Sequence, residues 1–306
     1  CTCYMNSVLQ CLYHICSFRK IVYQLPTTGM EDITKCIPLA LQHLFTFLQK
    51  SPIAPSTKEL TTAFGWNSFE LFMQHDVQEF LGQLLDNIEK KMVGTSEAEA
   101  IPHLLRGKLL NSIRALEFDY SSETTENFYD IHLCVAGMDT IEDSLQMYIQ
   151  DDLLNGKNKY NFEGHGPSDC LKGYRFQELP PVLQIHLQRF SSDMYGNTRK
   201  ENGRFKFPFE LNMEPYLSDS ADRNDCYVYE LFAVLVHQGV QFGGHYYAYC
   251  RPTTERRWVR FNDDDVSIVT EQNAIDDNYG GFDKHHSAYF LVYIKKSEIE
   301  NIMAPI

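Results

Sequence analysis

The hydrophobic rhythm of this chain changes once, near residue 110, and that change limits the fold more than any other feature. Before it, apolar residues recur at helical spacing. Met5, Leu9 and Leu12 open the chain, Leu39, Leu41, Leu44, Phe45 and Leu48 form a second stripe, and Phe80, Leu81, Leu84, Leu85 and Ile88 a third. Pro52 and Pro55 break the pattern between the last two. From about residue 112 the pattern shifts toward strands. Phe128–Leu133 alternates, Val182–Phe190 follows the stop at Pro180-Pro181, and Leu231–His237, His245–Cys250 and Ala288–Ile294 have the same character. No repeat, low-complexity tract or flexible linker divides the chain. A helical first third feeding an antiparallel sheet predicts one α+β domain over 1–306, with a cleft between the two parts as the natural place for a site.

At 306 residues the chain is long enough to bury a substantial core. No stretch approaches the roughly 20 apolar residues of a membrane span, and no secretory signal is visible, so no membrane partner is expected. The 27 basic against 41 acidic residues leave a formal charge of −14. Nucleic acid is excluded as an expected partner, because phosphate binding needs a basic face. An acidic surface suits either solubility alone or a basic partner. Nine cysteines, an odd number without a disulfide-like rhythm, point to a reducing, intracellular compartment. No pair has CxxC spacing, and no histidine cluster completes Cys1-x-Cys3, so no metal or other cofactor is expected.

Three segments carry chemistry. Cys3 precedes an amphipathic helix, where free N–H groups and the helix dipole favour a thiolate; its own backbone N–H suits an oxyanion donor. Taken alone it reads equally as a small core cysteine. His245 follows Gly243-Gly244, in what the pattern predicts to be a hairpin of Leu231–His237 with His245–Cys250, joined by a mobile loop over Gln238–Gly244. Asn262 and Asp263 end a strand beginning at Trp258, from which either side chain can reach an imidazole on a neighbouring strand. Thiol, imidazole, and amide or carboxylate are the parts of a cysteine hydrolase: the first attacks, the second deprotonates it, and the third orients the imidazole. His75, His186 and His237 lack such context and read as structural.

Taken together, these segments resemble the ubiquitin-specific proteases. The matching stretches are Thr2-Cys3-Tyr4-Met5-Asn6-Ser7, the run Gln74 to Leu81, Leu179 to Leu183, Leu187-Gln188-Arg189-Phe190, Tyr229 to Tyr249, Trp258 to Val266, and Ala288 to Tyr293. They follow the family's order across nearly the whole chain. The resemblance implies a papain-like, hand-shaped fold: a helical thumb over about 1–111, mainly fingers over about 112–170, and a sheet palm with returning finger strands over about 171–306. It implies a deubiquitinase, with Cys3, His245, Asn262 and Asp263 catalytic and with ubiquitin and ubiquitinated proteins as partners. Trp66, Gln74, Asp76, Glu79, Gly243, Gly244 and Tyr246 would contact ubiquitin, with Asp76 and Glu79 facing the arginines of its tail.

Two departures bear on these expectations. Many relatives hold zinc in the fingers through two CxxC pairs, whose places here are taken by Ala115, Phe118, Phe162 and His165. Relatives also place an oxyanion-hole asparagine about five residues before the nucleophile, a position upstream of Cys1; the resemblance implies further chain there. The alternative function is a catalytically weak module that binds ubiquitin. An N-terminal-nucleophile hydrolase using Cys1 leaves His245 unexplained, and a papain-type protease fits poorly, since its His and Asn follow the Cys by about 130–150 residues.

Overall fold

The computed structural model describes residues 2–27, 29, 32–66, 77–192, 198–240, 243–253, 255 and 257–306. The first third is helical, as its spacing predicts: α1 (Cys3–His14), α2 (Cys16–Tyr23), α3 (Ile37–Lys50), α4 (Lys58–Ala63), α5 (Val77–Met92) and α6 (Ala100–Leu105). In α5 the apolar side chains Val77, Phe80, Leu81, Leu84, Leu85, Ile88 and Met92 recur every three or four residues and are all buried. Its polar face keeps Glu79 and Asp86 exposed. Pro38 stands in the first turn of α3, where its missing N–H costs nothing.

Strands then follow: β1 (Gly107–Ala115), β2 (Ser121–Phe128) and β3 (Asp130–Cys134). After α7 (Ile141–Tyr148) come β4 (Asp152–Leu154), β5 (Tyr160–Phe162), β6 (Gly166–Ser168), β7 (Cys170–Glu178) and β8 (Val182–Gln188). The chain continues through β9 (Phe190–Ser192), β10 (Thr198–Lys200), β11 (Glu210–Asn212), β12 (Val228–Val240), β13 (Gly243–Cys250), β14 (Trp258–Asn262) and β15 (Asp265–Val269). It ends with α8 (Glu271–Ala274), β16 (His286–Lys295) and α9 (Ile299–Ile302). Strand structure starts a few residues before the expected 112. Leu104, Leu105, Leu109 and Leu110 do not change rhythm there; the break is Gly107, whose added Cβ would lie 2.3 Å from the Phe128 ring across the sheet.

The strands form two main sheets. The smaller has the order β2-β1-β7-β4 and is antiparallel throughout. The larger, of eight strands, runs β15-β14-β13-β12-β16-β8-β3, with β11 beside β12. Its pairings are antiparallel except β3 with β8, which is parallel. Its central strands are apolar on both faces because both are covered. Phe232, Leu235, Phe290 and Val292 join the core under the helices, and Leu231, Val234, Leu291 and Tyr293 join a second core beneath α7 and the segment around Phe205–Tyr227. A register shift between Leu231 and Ala233 lets Phe232 and Ala233 face the same core. The arrangement is the α+β class expected.

One sequence reading needs correction, and one stretch went unread. The loop predicted over Gln238–Gly244 is mostly strand: β12 runs to Val240 and β13 begins at Gly243, with Gln238 paired to His245 and Gly239 to Gly244. Gly239 permits this by adopting a φ of +115°. Secondly, the three-residue strands β4, β5 and β6 stand in a polar stretch that carries no alternation long enough to read. Among the described residues no helix is long and apolar enough to cross a membrane.

Candidate active site

Cys3 occupies the first residue of α1, with the Asn6 N–H returning to the Thr2 carbonyl at 2.9 Å to close the first turn. α1 lies across β13 and β14, with Tyr4, Met5, Val8, Leu9 and Leu12 buried beneath it. Removing such side chains from water stabilises the contact by about 1.5–3 kcal/mol each. At the far end of the helix Cys11 Sγ meets Cys250 Sγ at 3.4 Å. Packing therefore fixes where the Cys3 end of α1 meets the sheet.

β13 brings His245 to that junction. Gly244 must be glycine: a Cβ there would sit 2.2 Å from His237 Nε2 and 2.6 Å from the Gln238 carbonyl. The group approaching this glycine is thus the buried His237 ring, whereas Gly243 faces open space. Burial, then Lys200 and His245, push the His237 imidazole down to about 3, so it is neutral. Lys200 donates to the His237 and Gly239 carbonyls at 3.0 and 3.1 Å and clamps the end of β12. Arg189, fully buried, donates to the carbonyls of Ala288, Glu201, Gly203 and Tyr279. The sequence assigned neither cation a part; each ties backbone segments beneath the site.

β14 supplies the third group. His245 Nε2 lies 2.5 Å from Asn262 Oδ1. An amide oxygen only accepts, so Nε2 is the donor in this contact. Asp263 follows in the two-residue turn to β15, at a φ of +52° that Asp tolerates better than most residues. One carboxylate oxygen is 3.9 Å from His245 Nε2, and the other accepts from Asn6 Nδ2 at 3.1 Å. Asn6 escaped the sequence reading. Its signal is position: it lies one turn after Cys3 on the same face of α1.

Cys3, Asn6, His245, Asp263 and Asp264 line one cavity of about 490 Å³, closed on its far side by Leu44, Leu48 and Ala54–Thr57. Cys3 is 6% exposed and His245 half-buried. Among the described residues no hydrogen bond joins the Cys3 thiol to His245. A second groove, of about 640 Å³, opens between α5 and the β2–β3 junction, where Glu79, Asp86, Glu89 and Asp130 bring four carboxylates together. Glu79 is therefore in a groove. Trp66 is half-buried and stacks on Phe64 at 4.8 Å. Tyr246 is buried against His237 and Tyr289 and stands opposite His237 in the β12–β13 ladder. Gln74, Asp76 and His75 lie outside the described residues. His186 and His237 are buried.

The four positions that hold zinc in many relatives meet at the tip of the smaller sheet. Ala115 and Phe162 are buried with Cys170, Phe118 packs on them, and His165 stacks on Phe118 at 4.2 Å. An apolar cluster joins the strands there.

With this geometry in place, the comparisons with known proteins are direct. The model of the family described as ubiquitin carboxyl-terminal hydrolase matches residues 1–293. The chain belongs to that family. It is 45% identical over 319 aligned residues to ubiquitin carboxyl-terminal hydrolase 15 of Schizosaccharomyces pombe, covering all of this chain and 28% of that protein. It is 42% identical to ubiquitin C-terminal hydrolase 12 of Arabidopsis thaliana and 43% identical to ubiquitin carboxyl-terminal hydrolase 7 of Caenorhabditis elegans. Those alignments cover all of this chain and 29% and 28% of the relatives. The chain thus spans under a third of the length of these members of the hydrolase family.

Proposed function

We propose that this chain is the catalytic domain of a deubiquitinase that cleaves the bond after the C-terminal glycine of ubiquitin. The observation that carries the reading is the His245–Asn262 hydrogen bond at the edge of a cavity that also holds the Cys3 thiol. In this reading His245 Nδ1 takes the thiol proton and Cys3 attacks the glycine carbonyl. The tetrahedral adduct collapses to a thioester as the lysine amine leaves with the proton from His245, and water releases the acid. Asn262 holds the ring, and Asp263 adds negative charge beside the imidazolium. The helices act as thumb, the larger sheet as palm and the smaller sheet as fingers.

The ubiquitin tail is basic and glycine-rich, and the carboxylate-lined groove beside α5 suits it. Ubiquitin and ubiquitinated proteins are the proposed partners, and a nuclear or cytoplasmic setting is part of the same reading. Since Cys3 and His245 share no hydrogen bond in this state, part of the binding energy goes to bringing them together. A weakly active ubiquitin-binding module is the second reading, motivated by the lack of a Cys3–His245 hydrogen bond among the described residues. Steady-state cleavage of ubiquitin carrying a C-terminal fluorogenic amide separates the two. The hydrolase turns over, and Cys3→Ala lowers turnover by about 10⁴–10⁶ while keeping ubiquitin affinity. No turnover by the unaltered chain supports the binding module.

A further inference from the structure

The parallel pairing of β3 with β8 places His132 directly opposite His186. Asp130 stands two residues before His132 on the same strand, hence on the same face. His132 Nε2 lies 2.9 Å from Asp130 Oδ2, and the two imidazole rings are 5.0 Å apart. One donor atom from each of the three residues falls within 4.8 Å of the others. Zinc with ligands at about 2.0–2.1 Å needs donors about 3.3 Å apart, so side-chain shifts of up to about 1.5 Å complete the triangle.

Three features make this more than a chance meeting of polar side chains. Two imidazoles and a carboxylate are a donor set that suits zinc and its neighbours better than calcium or magnesium. The donors stand on paired strands of the larger sheet, so the backbone beneath them is rigid, and the His186 ring is held edge-on by Tyr289 at 4.6 Å. An entry path exists as well: Asp130 and His132 line the groove beside α5, while His186 is buried behind them.

We propose that Asp130, His132 and His186 form a binding site for a divalent transition-metal ion of the zinc type, open to the groove. The site lies away from the finger-tip positions where relatives carry zinc, and sequence could not reveal it, because only the β3–β8 pairing brings Asp130-x-His132 to His186. Its test does not involve ubiquitin, so it stands or falls separately from the proposed hydrolase activity.

The experiment uses the chain with Cys3→Ala, which removes the thiol next to His245 as a competing ligand. Zinc is titrated in competition with a chromophoric chelator, and cobalt is followed by its visible absorption. The expected result is one ion per chain, with no thiolate-to-cobalt charge-transfer band. His132→Ala and Asp130→Asn should each weaken binding by at least about tenfold, with the metal-free melting temperature of each variant recorded as the folding control. Both positions are partly exposed, which favours folding of both variants. His186→Gln is the third arm. Absence of one-to-one zinc binding at micromolar concentrations, a thiolate band, or unchanged affinity in folded His132→Ala and Asp130→Asn would each overturn the proposal.

Discussion

The junction of α1 with β13 and β14 and the smaller sheet are built on opposite principles. At the junction, Cys3, His245 and Asn262 come from three elements, and their geometry is set by side chains buried under α1 and by glycine at 244. The smaller sheet has little core. β2 has no buried residue, and the tip rests on Ala115, Phe162 and Cys170. Long antiparallel registers from Gly107–Phe128 to Arg114–Ser121, with surface pairs such as Lys108–Glu178 at 2.8 Å, supply the rest. Such exposed pairs are worth about 0–1 kcal/mol. The proposed chemistry thus sits where packing is dense, and the proposed fingers sit where the backbone ladder suffices. Damage to one region should leave the other working.

The largest expected effect sharpens that separation. His245→Ala should lower turnover by about 10⁴-fold or more with little change in melting temperature, since the ring is half-exposed. A large drop in melting temperature would mean that site and core are not separable. Next come the helpers. Asn262→Ala and Asp263→Ala should each slow turnover by about 10²-fold, with the double variant slower than either. Full activity in Asn262→Ala beside an inactive Asp263→Ala would exchange their roles.

In the smaller sheet, Phe162→Ala should cost about 3 kcal/mol of local stability. Hydrogen exchange should then quicken in β1, β2, β5, β6 and β7. Alkylation of Cys3 by a small reagent should keep its rate. A matching change at Cys3 would break the comparison outright.

The junction was more legible in sequence than the smaller sheet, and for the same physical reason. Dense packing leaves periodic signatures. The stripe on α5 and the apolar runs of β12, β13 and β16 read directly, and so did the order of Cys3, His245, and then Asn262 or Asp263. Ladder-held strands leave few. β2 reads Ser-Ser-Glu-Thr-Thr-Glu-Asn-Phe with almost no alternation of burial, and three-residue strands fall below any period. Glycines misled the reading of Gln238–Gly244, because Gly239 and Gly244 serve strand pairing with a ring pressed against Gly244, which composition alone cannot tell from a loop. Asn6 and the Asp130–His132–His186 group went unread because tertiary contacts define them.

The last effect concerns pH. His237 and His14 are both pushed down to about 3 from an ordinary value of 6.5, His237 by burial, Lys200 and His245, and His14 by burial and Arg19. Above pH 6.5 neither the folded nor the unfolded chain protonates them. Between 6.5 and about 3 only the unfolded chain does, so stability falls as pH drops through that window and levels off below it. His237→Phe should flatten part of that slope in urea melts, with His14 retaining the rest. An unchanged slope would mean that His237 takes up its proton in the fold.

The central claim is that Cys3 is the nucleophile for the ubiquitin C-terminus. It is tested most directly by mixing the chain with ubiquitin bearing a C-terminal thiol-reactive group and mapping the adduct by peptide mass spectrometry. One ubiquitin per chain, attached at Cys3 and lost in Cys3→Ala, is the predicted result. Attachment at Cys1 or another cysteine, with Cys3 unmodified, would contradict it.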